Sequence, residues 1–232
     1  TTLEIIAGPP KPATLAARHG RFLVGRRFVE RGESATAVDL MTRAAQGRAD
    51  TTSEKNALNC DLAAAHVATG NVAEAKRLYG DVLSVESDNR AAIVGMGAIE
   101  LIQGKAEDAK LRFIKALTGA PNDGRIIYNL ALAHLMAREW QSARDAFFDA
   151  MSADPVLASR AHAGLAALYE TIGENRQSLS HAEAAFDADR RDPETALVLG
   201  RAYMINGDPE RASEQFARAL AAMPDQFEGL SG

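Results

Sequence analysis

The chain has a single cysteine, Cys60, in 232 residues. That excludes an internal disulfide and leaves the redox compartment open. No apolar run approaches the length of about 18 residues that a bilayer-spanning helix needs. No secretory leader is visible at the start, where Thr1 stands in place of an initiator Met, so the sequence says little of compartment. Basic charge is in the minority, with 26 Lys and Arg against 31 Asp and Glu and a net charge of −5. Binding to a phosphate backbone rests on cationic neutralisation, and an acidic chain without a long basic stripe argues against a nucleic-acid partner. Enzyme motifs are missing as well. The cluster GPPKP at Gly8–Pro12 lacks the Gly-Lys-Ser/Thr ending of a phosphate loop, and no Gly-x-Ser-x-Gly occurs. None of the five histidines (His19, His66, His134, His162, His181) forms a His-x3-His metal pair. Strand-like alternation is nearly absent.

Recurrence is what the sequence does have. The stretch GDPERASEQFARALAAMPD places Gly, Ala, an aromatic, Ala and Pro at Gly207, Ala212, Phe216, Ala219 and Pro224. The same skeleton stands at Gly104, Ala109, Phe113, Ala116 and Pro121, and again at Arg138, Ala143, Phe147, Ala150 and Pro155. Looser copies are Gly70, Ala75, Tyr79, Val82, Ser87; Gly173, Ser178, Ala182, Ala185, Arg190; and Gly32, Ala37, Met41, Ala44, Ala49. A fixed period of this length decides the fold before any other signal. With 47% hydrophobic and 25% charged residues, the composition is that of an ordinary globular protein able to bury a core.

Each copy holds two stretches with apolar residues three and four apart, the helical spacing. In the last copy helix A runs roughly over 193–206 and helix B roughly over 209–222. Both follow Asp-Pro, an N-cap and a favoured first helical residue. Gly207 supplies the left-handed residue that closes helix A, and Pro224 stops helix B. Gly200 and Ala212 let the two helices cross closely, with Leu199, Tyr203, Phe216 and Leu220 around the crossing. One helix pair cannot bury its own apolar faces; stacked copies can.

The set Gly200, Tyr203, Gly207, Ala212, Phe216, Ala219 and Pro224 resembles the tetratricopeptide repeat, a helix–turn–helix unit of 34 residues. Repeats then begin near Arg18, Asn56, Arg90, Gly124, Ser159 and Pro193, with small insertions near Thr52–Lys55 and at Ala158. The resemblance implies an all-α, right-handed α-solenoid of six repeats over residues 14–226. An extended Pro-rich arm would precede it at 1–13 and a tail follow at 227–232. It further implies a non-enzymatic scaffold with no cofactor, whose trait is binding other proteins. The fifth repeat departs most, with Ser178 and Ala182 at the small and aromatic places and a helix B expected to run on to Arg190. No polar capping helix fits after Pro224, which leaves Phe216 and Leu220 at an open face where a second copy could dock as a homodimer.

In the family the A helices line a concave surface, and the fifth, ninth and twelfth places of each repeat point into it. Those places hold Phe22, Arg26 and Val29; Cys60, Ala64 and Val67; Val94, Ala98 and Leu101; Tyr128, Leu132 and Leu135; Ala163, Ala167 and Glu170; Leu197, Arg201 and Met204. The resemblance therefore implies an apolar groove with polar ends, fit for a partner's amphipathic helix or extended peptide, with Asn129 able to hold a ligand's backbone amide. The family's carboxylate-clamp members use Lys, Asn and Arg in the groove, and the equivalent places here are mostly Cys60, Ala64, Val94 and Ala98, which argues against that sub-function. A second reading covers these residues with the chain itself, through Leu3, Ile5 and Ile6 of the arm. Cys60 also reads as a small buried hydrophobe. His66, Glu100 and His134 share one place in successive repeats and could form a buried polar ladder. RHGRFLVGRR (Arg18–Arg27) is the basic cluster, able to meet an acidic partner or lipid headgroups. Bacterial six-repeat proteins of this kind include envelope lipoproteins of pilus and secretion assembly, which favours a periplasmic, outer-membrane-associated setting with only an indirect tie to the membrane. The alternative from another class is the N-terminal portion of a larger glycosyltransferase- or sulfotransferase-type enzyme.

Overall fold

The computed structural model describes residues 34–45 and 51–222. The Pro-rich arm, the Arg18–Arg27 cluster, Phe22, Arg26, Val29 and Pro224 lie outside the described residues. Those described form eleven α-helices and one 3-10 turn, with no strand among them. No described helix is long and apolar enough to cross a membrane. The contacts divide the chain into two compact units, one up to Ala116 and one from Leu117.

The first unit contains α1 (Ser34–Ala45), α2 (Thr52–Ala68), α3 (Val72–Val85), α4 (Arg90–Ile102) and most of α5 (Ala106–Thr118). Helix α1 packs on α2, α2 on α3, and α4 on both α2 and α3. The core is built from the faces set by the repeat skeleton: Met41, Leu58, Leu62, Leu78, Tyr79, Val82, Met96 and Ile99. Full burial of side chains of this size stabilises by about 1.5–3 kcal/mol each. Two glycines of α4 set the helix spacing. A methyl at Gly95 would lie 2.1 Å from Cζ of Tyr79, and one at Gly97 would lie 2.7 Å from Cε1 of Phe113. The expected insertion at Thr52–Lys55 becomes an added first turn of α2, which is 17 residues long. Thr51 caps it, its hydroxyl accepting the Glu54 N–H at 3.1 Å.

The second unit contains α6 (Gly124–Met136), α7 (Trp140–Ala153), α8 (Ala158–Thr171), α9 (Asn175–Ala188), α10 (Pro193–Ile205) and α11 (Pro209–Ala222). They pack as antiparallel pairs, α6 with α7, α8 with α9 and α10 with α11, and the A helices α6, α8 and α10 lie side by side in order. The Asp-Pro starts behave as expected: Asp192 accepts the Glu194 N–H at 2.9 Å and Asp208 the Arg211 N–H at 3.0 Å. Gly207 has φ of 79°. Arg138 occupies the corresponding place in its repeat and takes the same left-handed conformation, with φ of 60°, at a steric cost that glycine does not bear. The insertion at Ala158 is a 3-10 turn, Pro155–Leu157. Asp154 caps it through the Val156 N–H at 3.1 Å, and Leu157 is buried beneath it.

The fifth repeat corrects two expectations. Its B helix ends at Ala188 rather than running on to Arg190, because Asp189 turns out of helix and its side chain accepts the N–H groups of Arg191 and Asp192. The missing aromatic is supplied one turn later by Phe186, buried against Leu199 and Tyr203. Ser178 stands buried at the small-residue place.

Candidate partner-binding surface

The A helices carry the candidate positions, and each unit presents its own set. In the first unit Ala64 of α2 is exposed, while Val67 of α2 and Val94, Ala98 and Leu101 of α4 are half-buried. Cys60 is turned into the core at 5% exposure. Its thiol approaches Oδ1 of Asn89 at 3.7 Å, and that oxygen also caps α4 by accepting the Ala92 N–H. Burial, then the charges of Asp61 and Glu86, pushes the thiol up to about 11.

In the second unit Tyr128, Asn129, Leu132 and Leu135 of α6 are half-buried, as are Ala163, Ala167 and Glu170 of α8 and Leu197 of α10. Arg201 and Met204 of α10 are exposed. The Tyr128 ring leans on Phe147 with centroids 5.8 Å apart. Burial holds its hydroxyl above the ordinary tyrosine range, with smaller opposing influences from Arg160 and Glu194. Arg160 and Glu194 stand at the second place of their repeats, which the groove pattern of fifth, ninth and twelfth places does not sample. Glu170 and Arg201 form an ion pair at 3.0 Å between α8 and α10. It is exposed enough to be worth at most about 1 kcal/mol, so a partner's charge can replace either member at small cost. The chemistry available on these faces is apolar contact between small side chains, bounded by exchangeable charge.

The polar ladder suggested by His66, Glu100 and His134 is replaced by pairing inside single repeats. Glu100 of α4 takes Arg112 of α5 at 2.6 Å, and Nδ1 of His134 meets the Glu139 carboxylate. Each partner lies on or beside the B helix of the same repeat. No group of three or more His, Cys, Asp or Glu placed to hold a metal occurs among the described residues. Large apolar side chains also stand exposed on B helices, including Leu111 and Ile114 of α5, and Phe216 (36%) and Leu220 (49%) of α11.

Comparison with known proteins gives a family and a fold. No curated protein matches the chain. Among solved structures, a thermophilic tetratricopeptide repeat protein of Thermus thermophilus is similar at 19% identity, covering 75% of this chain and 94% of its own, with a TM-score of 0.68. PilF of Pseudomonas aeruginosa is similar at 18% identity over 90% of this chain and 92% of its own, with a TM-score of 0.61. A tetratricopeptide repeat protein of Parabacteroides merdae is similar at 18% identity over 88% of this chain and 79% of its own, with the same TM-score. At such identities the likeness is one of fold. The tetratricopeptide repeat family model matches residues 95–158 and 159–227, more than half of the sequence, and with the paired helices and their recurring Gly–aromatic contacts it makes this chain a member of the tetratricopeptide repeat family.

Proposed function

We propose that this protein is a non-enzymatic adaptor that holds a helix or peptide of another protein against the exposed faces of its A helices. The observation that carries this is the row of A helices in the second unit. Leu132, Leu135, Ala163, Ala167 and Leu197 keep apolar side chains half-exposed there, beside the replaceable Glu170–Arg201 pair. Phe22 and Arg26, with Ala64, Val67, Val94, Ala98 and Leu101, give the first three A helices the same reading, while Cys60, turned into the core, drops out of it. The repeat family is a protein-interaction fold, which supports the class of ligand. Partner recognition then follows the helix-in-groove or extended-peptide mode.

The finer reading places the adaptor in assembly of a bacterial pilus or secretion machine; its support is the number of repeats and the Ala- and Arg-rich composition. The test is capture of partners from the source organism's lysate on the intact chain, with Ala64→Glu and Ala167→Glu variants as controls. These small, accessible positions admit a charge without opening the core. A protein retained by the intact chain and lost with Ala167→Glu, at unchanged helical circular dichroism, supports the groove. Equal retention by both refutes it. Deleting the gene and finding pili and secretin multimers unchanged refutes the finer reading alone.

A further inference from the structure

Away from the groove positions, His162 of α8 and His181 of α9 meet across one helix pair. Their Nδ1 atoms are 3.0 Å apart, the ring centroids are 5.2 Å apart and the planes differ by 27°. For five-membered rings, that centroid separation is close to the largest that so short a nitrogen contact allows. The rings therefore meet edge to edge, nitrogen to nitrogen, rather than lying face to face. Around them, Tyr169 of α8 lies parallel to the His181 ring at 5.3 Å, and Phe148 of α7 stands edge-on at 6.2 Å.

This contact has a strict proton requirement. A neutral imidazole presents Nδ1 either as N–H or as a lone pair, and an imidazolium presents N–H at both nitrogens. Two lone pairs repel, and two N–H groups facing one another repel more strongly when both rings are charged. A single proton between the nitrogens satisfies both. The charged groups of the surrounding helices are engaged elsewhere: Asp145 with Gln141 and Arg144, Glu170 with Arg201, Glu183 with the Tyr203 hydroxyl, Asp187 with Arg190. Asp149, Arg160, Arg176 and Glu194 exert no resolved influence on either ring. A metal ion on the line between the nitrogens would need them about 4 Å apart, twice an ordinary metal–imidazole bond.

We propose that His162 and His181 form a one-proton lock joining the two helices of the fifth repeat, closed while one ring's Nδ1–H faces the other's Nδ1 lone pair, in the neutral and the singly protonated pair alike, and opened when both rings become imidazolium and two N–H groups meet. Burial holds both imidazoles below the ordinary histidine range, and at His181 the charge of His162 adds to it. The unfolded chain therefore takes up protons first. The lock's stability is fully present above the unfolded value of about 6.5 and is lost as pH falls through the folded values. The lock stands independently of the proposed adaptor function. Where that function holds, acid also loosens the helix bearing Ala163, Ala167 and Glu170.

The test is a pH titration of ¹⁵N-labelled imidazoles in the full chain, in wild type and in His162→Gln and His181→Gln variants. The expected result is one protonated and one unprotonated Nδ1 at neutral pH. The pair should titrate in two coupled steps, and the ring left in each variant in one step, at higher pH than the pair's second. The fall in urea midpoint between about pH 7 and pH 5 should shrink by at least half in the double variant. Independent, ordinary steps for both rings in wild type would overturn the lock. So would equal acid sensitivity in wild type and double variant, or stoichiometric zinc binding that shifts both Nδ1 signals at neutral pH. If a variant fails to fold, the wild-type tautomers and step pattern decide the question alone.

Discussion

Replacing Gly95 and Gly80 by alanine should move stability in opposite directions, although both lie inside consecutive helices. The helical backbone gains about 0.5–1 kcal/mol at either site, because alanine loses less freedom on folding. At Gly80 that is the whole effect, since nothing lies within 4 Å of the new methyl. At Gly95 the methyl would sit 2.1 Å from Cζ and 2.5 Å from both Cε2 and Oη of Tyr79. Tyr79 is 4% exposed and packed among Leu78, Val82 and Met96, so the ring has no open direction to move in. Overpacking of this kind costs about 1–3 kcal/mol. Gly95→Ala should therefore destabilise by up to about 2.5 kcal/mol and Gly80→Ala stabilise by up to about 1 kcal/mol. The assay is urea denaturation followed by circular dichroism at one protein concentration, comparing midpoints. Tyr79→Leu in the Gly95→Ala background should recover part of the loss, with a coupling that a double-mutant cycle reads directly. A Gly95→Ala midpoint at or above that of Gly80→Ala would refute the claim that the Tyr79 ring sets the spacing between α3 and α4.

Arg138→Gly should raise stability by up to about 1 kcal/mol by relieving the left-handed backbone, read as a higher melting temperature. Arg112→Met should cost about 2–4 kcal/mol, because Glu100 is left charged and buried, and adding Glu100→Gln should restore most of it. A full-sized loss in the double variant would show that the arginine stem, and not its charge, matters. Cys60 should resist iodoacetamide in the folded chain at pH 8 and react at the rate of a free thiol in urea. Because folding raises its ionisation to about 11, stability should be present below the unfolded value of about 8.5 and fall as pH climbs from there to about 11; a Cys60→Ala variant should lack that contribution.

The repeat frame was legible because its signals are local. Asp192–Pro193, Gly207, Gly200 and Phe216 each fix one backbone or packing event, and 34-residue recurrence places the rest. What escaped was contact between residues on different helices. His162 and His181 are 19 residues apart and carry no motif, yet the antiparallel pairing of α8 with α9 brings them together. The ladder of His66, Glu100 and His134 failed for the complementary reason: a shared place in the repeat aligns residues along the array, whereas the polar atoms take a partner on their own pair, here Arg112 and Glu139. Phe186 was hidden by a one-turn shift that keeps the ring on the same helix face. The groove faces are legible as helix stripes; the partner is not, since half-exposed Leu and Ala side chains specify apolarity and little more.

The two added segments, the first turn of α2 and the Pro155–Leu157 turn, both lie between one helix pair and the next. Inside a pair the spacing from the turn residue to the crossing aromatic is held to helix phase, because Gly97 must meet Phe113 and Gly200 must meet Phe216; the fifth repeat departs from it only by a whole turn, to Phe186. Descendants of this gene can therefore gain or lose codons at the seams while every helix keeps its facing. A single codon inserted between Gly104 and Phe113 would instead rotate the aromatic by about 100° around its helix and carry it out of its seat. Length variation among such proteins should accordingly collect at the seams, and a reporter peptide grafted beside the exposed Val156 should leave the flanking helices in phase.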